Sequence, residues 1–300
     1  YRDVKDTTCI ALFKVIRNKK SEFLYNNTET PAVHIMAWTT TPWTLPSNTA
    51  LAAGKDIVYI KIKSYNPYSG EPITVVIAKD LISPLFPESN AGLDLSDYKP
   101  GDKKIPFKVL GEFAGKELEG IGYEQLIDWV NPGEGAFCVL TGDFVTTEEG
   151  TGIVHIAPTF GSDDYRIAKE NGVPPLLMKR KDGTLGPMVD KRGFLIPIAD
   201  LDESYVKLSV NTKTYSAFAG HPVKNDYDIN LSPDAESLDV DIAVMLKQNG
   251  KAFRIEKQVH SYPHCWRTDK PVLYYPLDAW FIKTTAKRER MIELNNTINW

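Results

Sequence analysis

Cysteine is scarce: Cys9, Cys138 and Cys265 are the only three in 300 residues. An odd, widely spaced set excludes a disulfide framework and fits a reducing, cytoplasmic compartment. Long apolar runs are also missing. No stretch approaches the roughly 18 consecutive apolar residues of a membrane helix, so a helical membrane protein is excluded. The charged start Tyr1-Arg2-Asp3-Val4-Lys5-Asp6 lacks the apolar run of a signal peptide, and neither end is expected to be a natural terminus. There is no surplus of positive charge. Thirty-five basic residues stand against 39 acidic ones, a formal net charge of −4, which excludes a protein that coats nucleic acid through a global positive field. Room remains for a local basic patch. Internal repeats and low-complexity segments are absent.

What is present is ordinary globular composition: 42% hydrophobic, 25% charged and 11% aromatic residues supply enough apolar surface for a sizeable core. Before about residue 160 the apolar residues alternate or run in short β-branched blocks, at Ala32 to Trp38, Ile57 to Ile62, Ile73 to Ala78, Phe137 to Leu140 and Gly152 to Ala157. Pro67-Tyr68-Ser69-Gly70, Lys99-Pro100-Gly101-Asp102 and Asn131-Pro132-Gly133-Glu134-Gly135 are turn chemistry between them. Many short strands with frequent turns predict a β-rich α+β fold, barrel or sandwich rather than a doubly wound sheet. Helical patterns are few. Ser162 to Glu170 reads as a helix with Ser162 as N-cap, Asp163 and Asp164 in the first turn, and Asn171-Gly172 as the stop. Leu238 to Asn249 places Leu238, Ile242, Met245 and Leu246 on one face, with Gly250 following. Phe253 to Phe281 is extended and punctuated by proline, so a boundary is expected near residue 250, dividing the chain into 1–250 and 251–300.

Two segments carry chemical information. Trp38-Thr39-Thr40-Thr41-Pro42-Trp43-Thr44-Leu45-Pro46-Ser47-Asn48-Thr49-Ala50 is dense in hydroxyls and follows a predicted strand. Pro42 and Pro46 stiffen the chain, so the hydroxyls of Thr39, Thr40, Thr41 and Thr44 are presented from a rigid loop suited to holding a carbonyl oxygen or a water. The same composition also suits a strand end followed by an ordinary Pro-rich turn. The second segment, Gly150-Thr151-Gly152-Ile153-Val154-His155-Ile156-Ala157-Pro158-Thr159-Phe160-Gly161-Ser162-Asp163-Asp164-Tyr165, runs strand, turn, helix start. A carboxylate in a first helical turn gains about 0.3–1 kcal/mol from the macrodipole, and it could anchor an ammonium group or merely complement the dipole. Alternation turns His155 to the side opposite Val154 and Ile156, where it is either a site residue or a satisfied histidine.

Together these motifs resemble the editing domain, the connective polypeptide, of isoleucyl-tRNA synthetases. Valyl and leucyl enzymes typically have Thr-Thr-Arg-Pro where this chain has Thr40-Thr41-Pro42-Trp43. Ser261-Tyr262-Pro263-His264-Cys265-Trp266-Arg267 and Trp280-Phe281 are similar to the family's return toward its catalytic body. The resemblance implies a barrel-like editing domain of the class I synthetases with a few peripheral helices in 1–250, and a return segment toward the catalytic domain in 251–300. The class I signatures, a His-x-Gly-His type sequence and Lys-Met-Ser-Lys-Ser, are absent; Met178-Lys179-Arg180-Lys181 is the nearest approach. An editing domain without the ligase site is therefore implied, and ATP and magnesium belong to the parent enzyme.

The resemblance also implies the chemistry: hydrolysis of the ester joining valine to the 3′ adenosine of tRNA(Ile), with valyl-adenylate as a further candidate substrate. One methylene is worth only about 1–3 kcal/mol in an apolar pocket, a general value long attached to this very pair of amino acids, so a second sieve is needed. By motif position Asp164 accepts the α-ammonium, His155 limits the side-chain pocket, and Thr39, Thr40, Thr41 and Thr44 hold the terminal adenosine, ester and water. Asn48 fixes the loop or touches substrate, and Trp38 and Asp163 complete the substrate-binding set. No cofactor and no Ser/His/Asp triad are implied, because an aminoacyl ester is already labile. The expected partners are the acceptor end of tRNA and the rest of the synthetase, with no membrane.

Several details qualify the match. Bacterial members often carry Thr where this chain has Ile156, and Thr159-Phe160 resembles the eukaryote-like branch. His260, His264 and Cys265 cluster without the second ligand group of a zinc site, so no metal is expected. Lys179-Arg180-Lys181, Lys191-Arg192 and Lys287-Arg288 read as solvated faces, with the first two as candidates for acceptor-stem phosphates. The competing functions are a passive tRNA-docking module and an editing domain for another small or β-branched amino acid.

Overall fold

The computed structural model describes residues 1–232, 235–277 and 279–299; Asp278 and Trp300, both within the expected return segment, lie outside them. The first strand, β1 (Arg2–Lys14), is charged and exposed along its outer half, then buried on both faces from Thr7 to Phe13. Such a change is what a strand shows when it passes from a sheet's rim to its centre. Helix α1 (Glu22–Tyr25) follows, then β2 (Val33–Thr39), β3 (Ala50–Ala53), β4 (Val58–Tyr65), β5 (Pro72–Ala78) and β6 (Lys108–Ala114). Beyond them come β7 (Cys138–Thr141), β8 (Ile153–Ile156), α2 (Ser162–Glu170), β9 (Met178–Lys179), β10 (Leu185–Gly186), α3 (Glu203–Ser209), α4 (Thr212–Tyr215), α5 (Leu238–Gln248), β11 (Ala252–Tyr262) and α6 (Arg288–Asn295).

The strands form a six-stranded sheet in the order β11-β1-β2-β5-β4-β6, a three-stranded sheet β7-β3-β8, and the ribbon β10-β9. Pairing is antiparallel except for β2 with β5 and β3 with β7. The fold is thus the β-rich α+β class read from the sequence, with few helices. Among the described residues no sheet closes into a barrel; β6 and β11 remain the edges of the large one. The boundary expected near residue 250 falls just before β11, which pairs with β1 from Arg2↔Tyr262 to Ala11↔Ala252. Sheet pairing is continuous across that point.

Two cores result. The larger includes Phe13, Ile35, Ile60, Val75, Trp129 and Leu246. The smaller is built from Ala50, Ala52, Leu140, Ile156, Ile167 and Ala168. This second core seats α2 on the three-stranded sheet, because Ile167 and Ala168 are the helix's buried residues and face the small side chains of β3. At about 25 cal/mol per Å2 of apolar surface removed from water, such burial outweighs the weak helix propensity of a nine-residue segment. The start of α2 is thereby fixed beside the end of β8.

Candidate active site

The hydroxyl-rich segment is one of the links between the two sheets. β2 ends at Thr39 in the large sheet and β3 begins at Ala50 in the small one. Between them Pro42–Ser47 forms a fully buried 3₁₀ turn with Pro42 at its start, where a missing N–H costs nothing. Thr44 N donates to Thr41 O at 3.0 Å and Asn48 N to Leu45 O at 3.1 Å. The register of β3 on β8 places Ala50 opposite Ile156 and Leu51 opposite His155. That pairing brings the second motif alongside the first.

A directional row of hydroxyls follows. Thr44 Oγ1 donates to Thr41 O at 2.8 Å, which uses its single proton. It must therefore accept from its other neighbours, Thr41 Oγ1 at 3.3 Å and His155 Nε2 at 3.3 Å. The tautomer that suits this row carries its proton on Nε2, leaving Nδ1 a buried acceptor without a partner among the described residues. Burial lowers the His155 pKa, partly opposed by the nearby Asp164, so the ring is neutral at pH 7. Thr39 Oγ1 accepts from Thr41 N at 3.1 Å and lies 3.4 Å from Thr41 Oγ1. Hydroxyl contacts of 3.3–3.4 Å are long against the usual 2.7–2.8 Å and easily exchanged for a water or substrate oxygen. Thr40 is half-buried and makes no side-chain hydrogen bond among the described residues.

Asp164 joins this row from the start of α2. Its Oδ2 accepts the Ala157 backbone N–H at 2.8 Å, folding the carboxylate back over the β8–α2 connection, while Oδ1 takes no hydrogen bond from the described residues. The fold-back depends on Gly161, where an added Cβ would stand 3.0 Å from Asp164 Cγ. Gly161 also occupies the cap position, so Ser162 is the first helical residue and not the N-cap expected from sequence. A hydroxyl preference was misassigned by one position, because extended Gly161 provides clearance and no side-chain cap forms.

The remaining residues divide clearly. Asn48 is buried and braces the two motifs: its Nδ2 donates to Ala50 O at 2.7 Å and Ile156 O at 3.4 Å, and Tyr123 OH donates to its Oδ1 at 2.7 Å. Trp38 is half-buried under Gly150, whose φ of +78° and close approach to the indole leave no room for a side chain. Trp43 meets Phe160 edge-on at 4.8 Å, tying the motifs together from behind. Asp163 is not brought in; it is exposed on α2 with Arg166 Nη2 at 3.5 Å. Ile156 is fully buried in the small core, on the face away from His155.

Elsewhere, His260 lies 3.2 Å from Asp6 and His264 Nδ1 is 3.0 Å from Tyr262 O. Among the described residues no group of three His, Cys, Asp or Glu side chains is arranged to hold a metal. The basic clusters are partly neutralised: Lys179 is 3.8 Å from Asp202, Arg192 is 2.8 Å from Asp190, and Arg180 donates to Pro187 O. Sequence reasoning missed Tyr123, Lys224 and Asp239, which hold the loops from positions remote in sequence.

No protein-family model matches the chain. In solved structures its architecture is shared by GlLeuRS-CP1, with a TM-score of 0.50 and 15% identity over 84% of this chain and 100% of that one. The P. knowlesi cytosolic leucyl-tRNA synthetase editing domain gives a TM-score of 0.50 and 12% identity over 86% and 98%. The class is therefore the fold of class I aminoacyl-tRNA synthetase editing domains. In sequence the chain is similar throughout to one part of isoleucine–tRNA ligases. The chain is 60% identical over 300 residues to the Bacteroides fragilis isoleucine–tRNA ligase, and 55% identical over 301 residues to that of Porphyromonas gingivalis. All of this chain is matched, and it spans 26% of the length of those relatives. Among the described residues no helix is long and apolar enough to cross a membrane.

Proposed function

We propose that the chain is an editing hydrolase that removes valine wrongly esterified to tRNA(Ile). The observation that carries this reading is the convergence of the Thr39–Thr44 hydroxyl row, the neutral His155 and the open oxygen of Asp164 at one junction between two sheets. Asp164 Oδ1 anchors the α-ammonium, a charge-assisted contact worth more than a neutral hydrogen bond. His155 walls the side-chain pocket and Asn48 keeps that wall in register with the row. The exchangeable hydroxyls orient a water on the ester carbonyl and donate to the oxyanion as it forms. Water adds to the carbonyl carbon and the bond to the ribose oxygen breaks. The ribose oxygen leaves with one water proton, and valine departs as the free acid. The chain's residues supply orientation and donors, so no metal or organic cofactor enters the hydrolysis. Binding of tRNA, with the rest of a synthetase gripping its body, suits a domain of net charge −4 that receives only the acceptor end. Valyl-adenylate presents the same ammonium and carbonyl and is a second substrate on this reading.

The test is deacylation by the purified chain. Wild type releases valine from Val-tRNA(Ile) and spares Ile-tRNA(Ile), while Asp164→Ala releases neither amino acid. Binding of tRNA without release, and indifference to a non-hydrolysable valyl-adenosine analogue, would leave only a docking module. A broader release profile across mischarged tRNAs would move the specificity to another small amino acid.

A further inference from the structure

Behind the hydroxyl row lies a buried charged cluster that the hydrolysis does not use. Asp239, in the first turn of α5, is 1% exposed. Its Oδ1 accepts the backbone N–H of Trp43 at 2.8 Å, and its Oδ2 lies 3.2 Å from Lys224 Nζ. Lys224 is buried as well, and its ammonium reaches Asp6 Oδ2 of β1 at 2.8 Å. The same Asp6 oxygen is 3.2 Å from His260 Nε2 on β11, and the Tyr262 ring stands under the ammonium at 5.2 Å. Burial pushes the Asp239 carboxyl up to about 6 against the pull of Lys224, which leaves it ionised at neutral pH. Burial opposes the Lys224 charge, but Asp239 and Asp6 together hold its pKa above the ordinary lysine range.

A buried ion pair is poor value for stability alone, since well-packed apolar side chains often do as well. What an apolar replacement cannot do is accept a hydrogen bond. The first N–H groups of a helical turn have no partner within the turn. Pro42 has none to offer, so Trp43 carries the orphan donor of the Pro42–Ser47 turn, one residue before Thr44. Asp239 satisfies it from 196 positions away, and Lys224 keeps the carboxylate from swinging off. Trp43 is in turn packed on Phe160 of the second motif.

We propose that Asp239, clamped by Lys224, is a positioning residue of the editing site. It fixes the Pro42–Ser47 turn and with it the Thr44 to His155 contact on which the row is built. The inference rests on the hydrolytic reading and deepens it.

The experiment compares wild type, Asp239→Asn, Lys224→Met and the double variant of the full 300-residue chain by Val-tRNA(Ile) deacylation, thermal melting and amide NMR. Asn keeps an acceptor for Trp43 N but without charge. Expected is a kcat about tenfold lower, or 1.4 kcal/mol, with KM within about twofold, because neither side chain reaches substrate. The double variant loses no more than the worse single, and the Trp43 and Thr44 amide resonances shift in each. A folded Asp239→Asn with wild-type kcat, a loss confined to KM, or losses that multiply in the double variant overturns the inference. If Asp239→Asn melts below the assay temperature, Lys224→Gln, which loosens the clamp with Asp239 in place, is read by the same split. An inactive wild type sinks the hydrolytic reading instead; unchanged Thr41 to Thr44 resonances in Asp239→Asn would then sink the positioning role by themselves.

Discussion

Replacing Asp164 with asparagine isolates its charge from its shape. In the structure one carboxylate oxygen is engaged by Ala157 N at 2.8 Å and the other is open. Asparagine can keep the first contact through its carbonyl oxygen and loses only the anion at the second. A hydrogen bond to a charged partner is worth about 1.5–3 kcal/mol net, and Asp164 is only half-buried, so the lower part of that range applies. At 1.4 kcal/mol per decade this becomes a fall in kcat/KM of about tenfold to thirtyfold. Folding stability should change by less than about 1 kcal/mol, because the Ala157 bond survives. Asp164→Ala differs: it also strips the buried Ala157 N–H of its acceptor, adding about 1–2 kcal/mol of destabilisation to the loss of activity. Initial rates on mischarged tRNA above and below KM, with urea unfolding of the same preparations, separate the two effects. One spectroscopic signature should accompany them. Asp164 is what raises the His155 pKa against its burial, so in Asp164→Asn the ring protonates at still lower pH, visible in its C–H resonances. An Asp164→Asn chain that folds and hydrolyses at the wild-type kcat/KM would refute the ammonium-anchor argument.

Two further outcomes follow from buried polar groups. Tyr123→Phe deletes the 2.7 Å donor to Asn48 Oδ1 and leaves a buried acceptor unpaired, which should cost about 1–3 kcal/mol in urea unfolding and slow deacylation by loosening the His155 strand; an unchanged midpoint would show that Asn48 does not need it. His34 is pushed by burial from the ordinary 6.5 to about 4, so the folded state binds fewer protons than the unfolded one between those values, and stability present above pH 6.5 is lost as pH falls to 4, by up to about 3 kcal/mol. Asp239 acts with the opposite sign in part of that window, so the measurement is the difference between wild type and His34→Gln; equal acid slopes in the two would refute the assignment.

Local signals were legible where local chemistry decides. Helix α2 is found at the predicted Ser162–Glu170, since an acidic first turn and the Asn171-Gly172 stop act within a few residues. The β-branched strands β2, β4, β5 and β8 likewise fall within their predicted segments or overlap them closely. β3 was invisible: Ala50–Ala53 has little strand propensity and is extended because β7 and β8 enclose it on both sides. β1 hid for another reason, its charged outer half masking the apolar run behind it. Of the site, the hydroxyl row and the β8–α2 junction were readable as motifs. Their meeting was implied by the family resemblance and not by local pattern, because it depends on the β3–β8 register, and the Asp239 to Trp43 bond joins residues whose spacing carries no pattern. Asp163 and Asp164 look equivalent in sequence, yet helix geometry turns one to solvent and the other inward.

The Thr39–Thr44 segment leaves one sheet and enters another whose strands β3 and β8 are about a hundred residues apart along the chain, and closing loops of that length is an entropic cost met late in folding. Neither half of the site exists as a working unit until both sheets have formed and docked. On refolding from denaturant, recovery of backbone structure should therefore precede recovery of hydrolysis. The lag between them would time the moment at which the two sheets find one another.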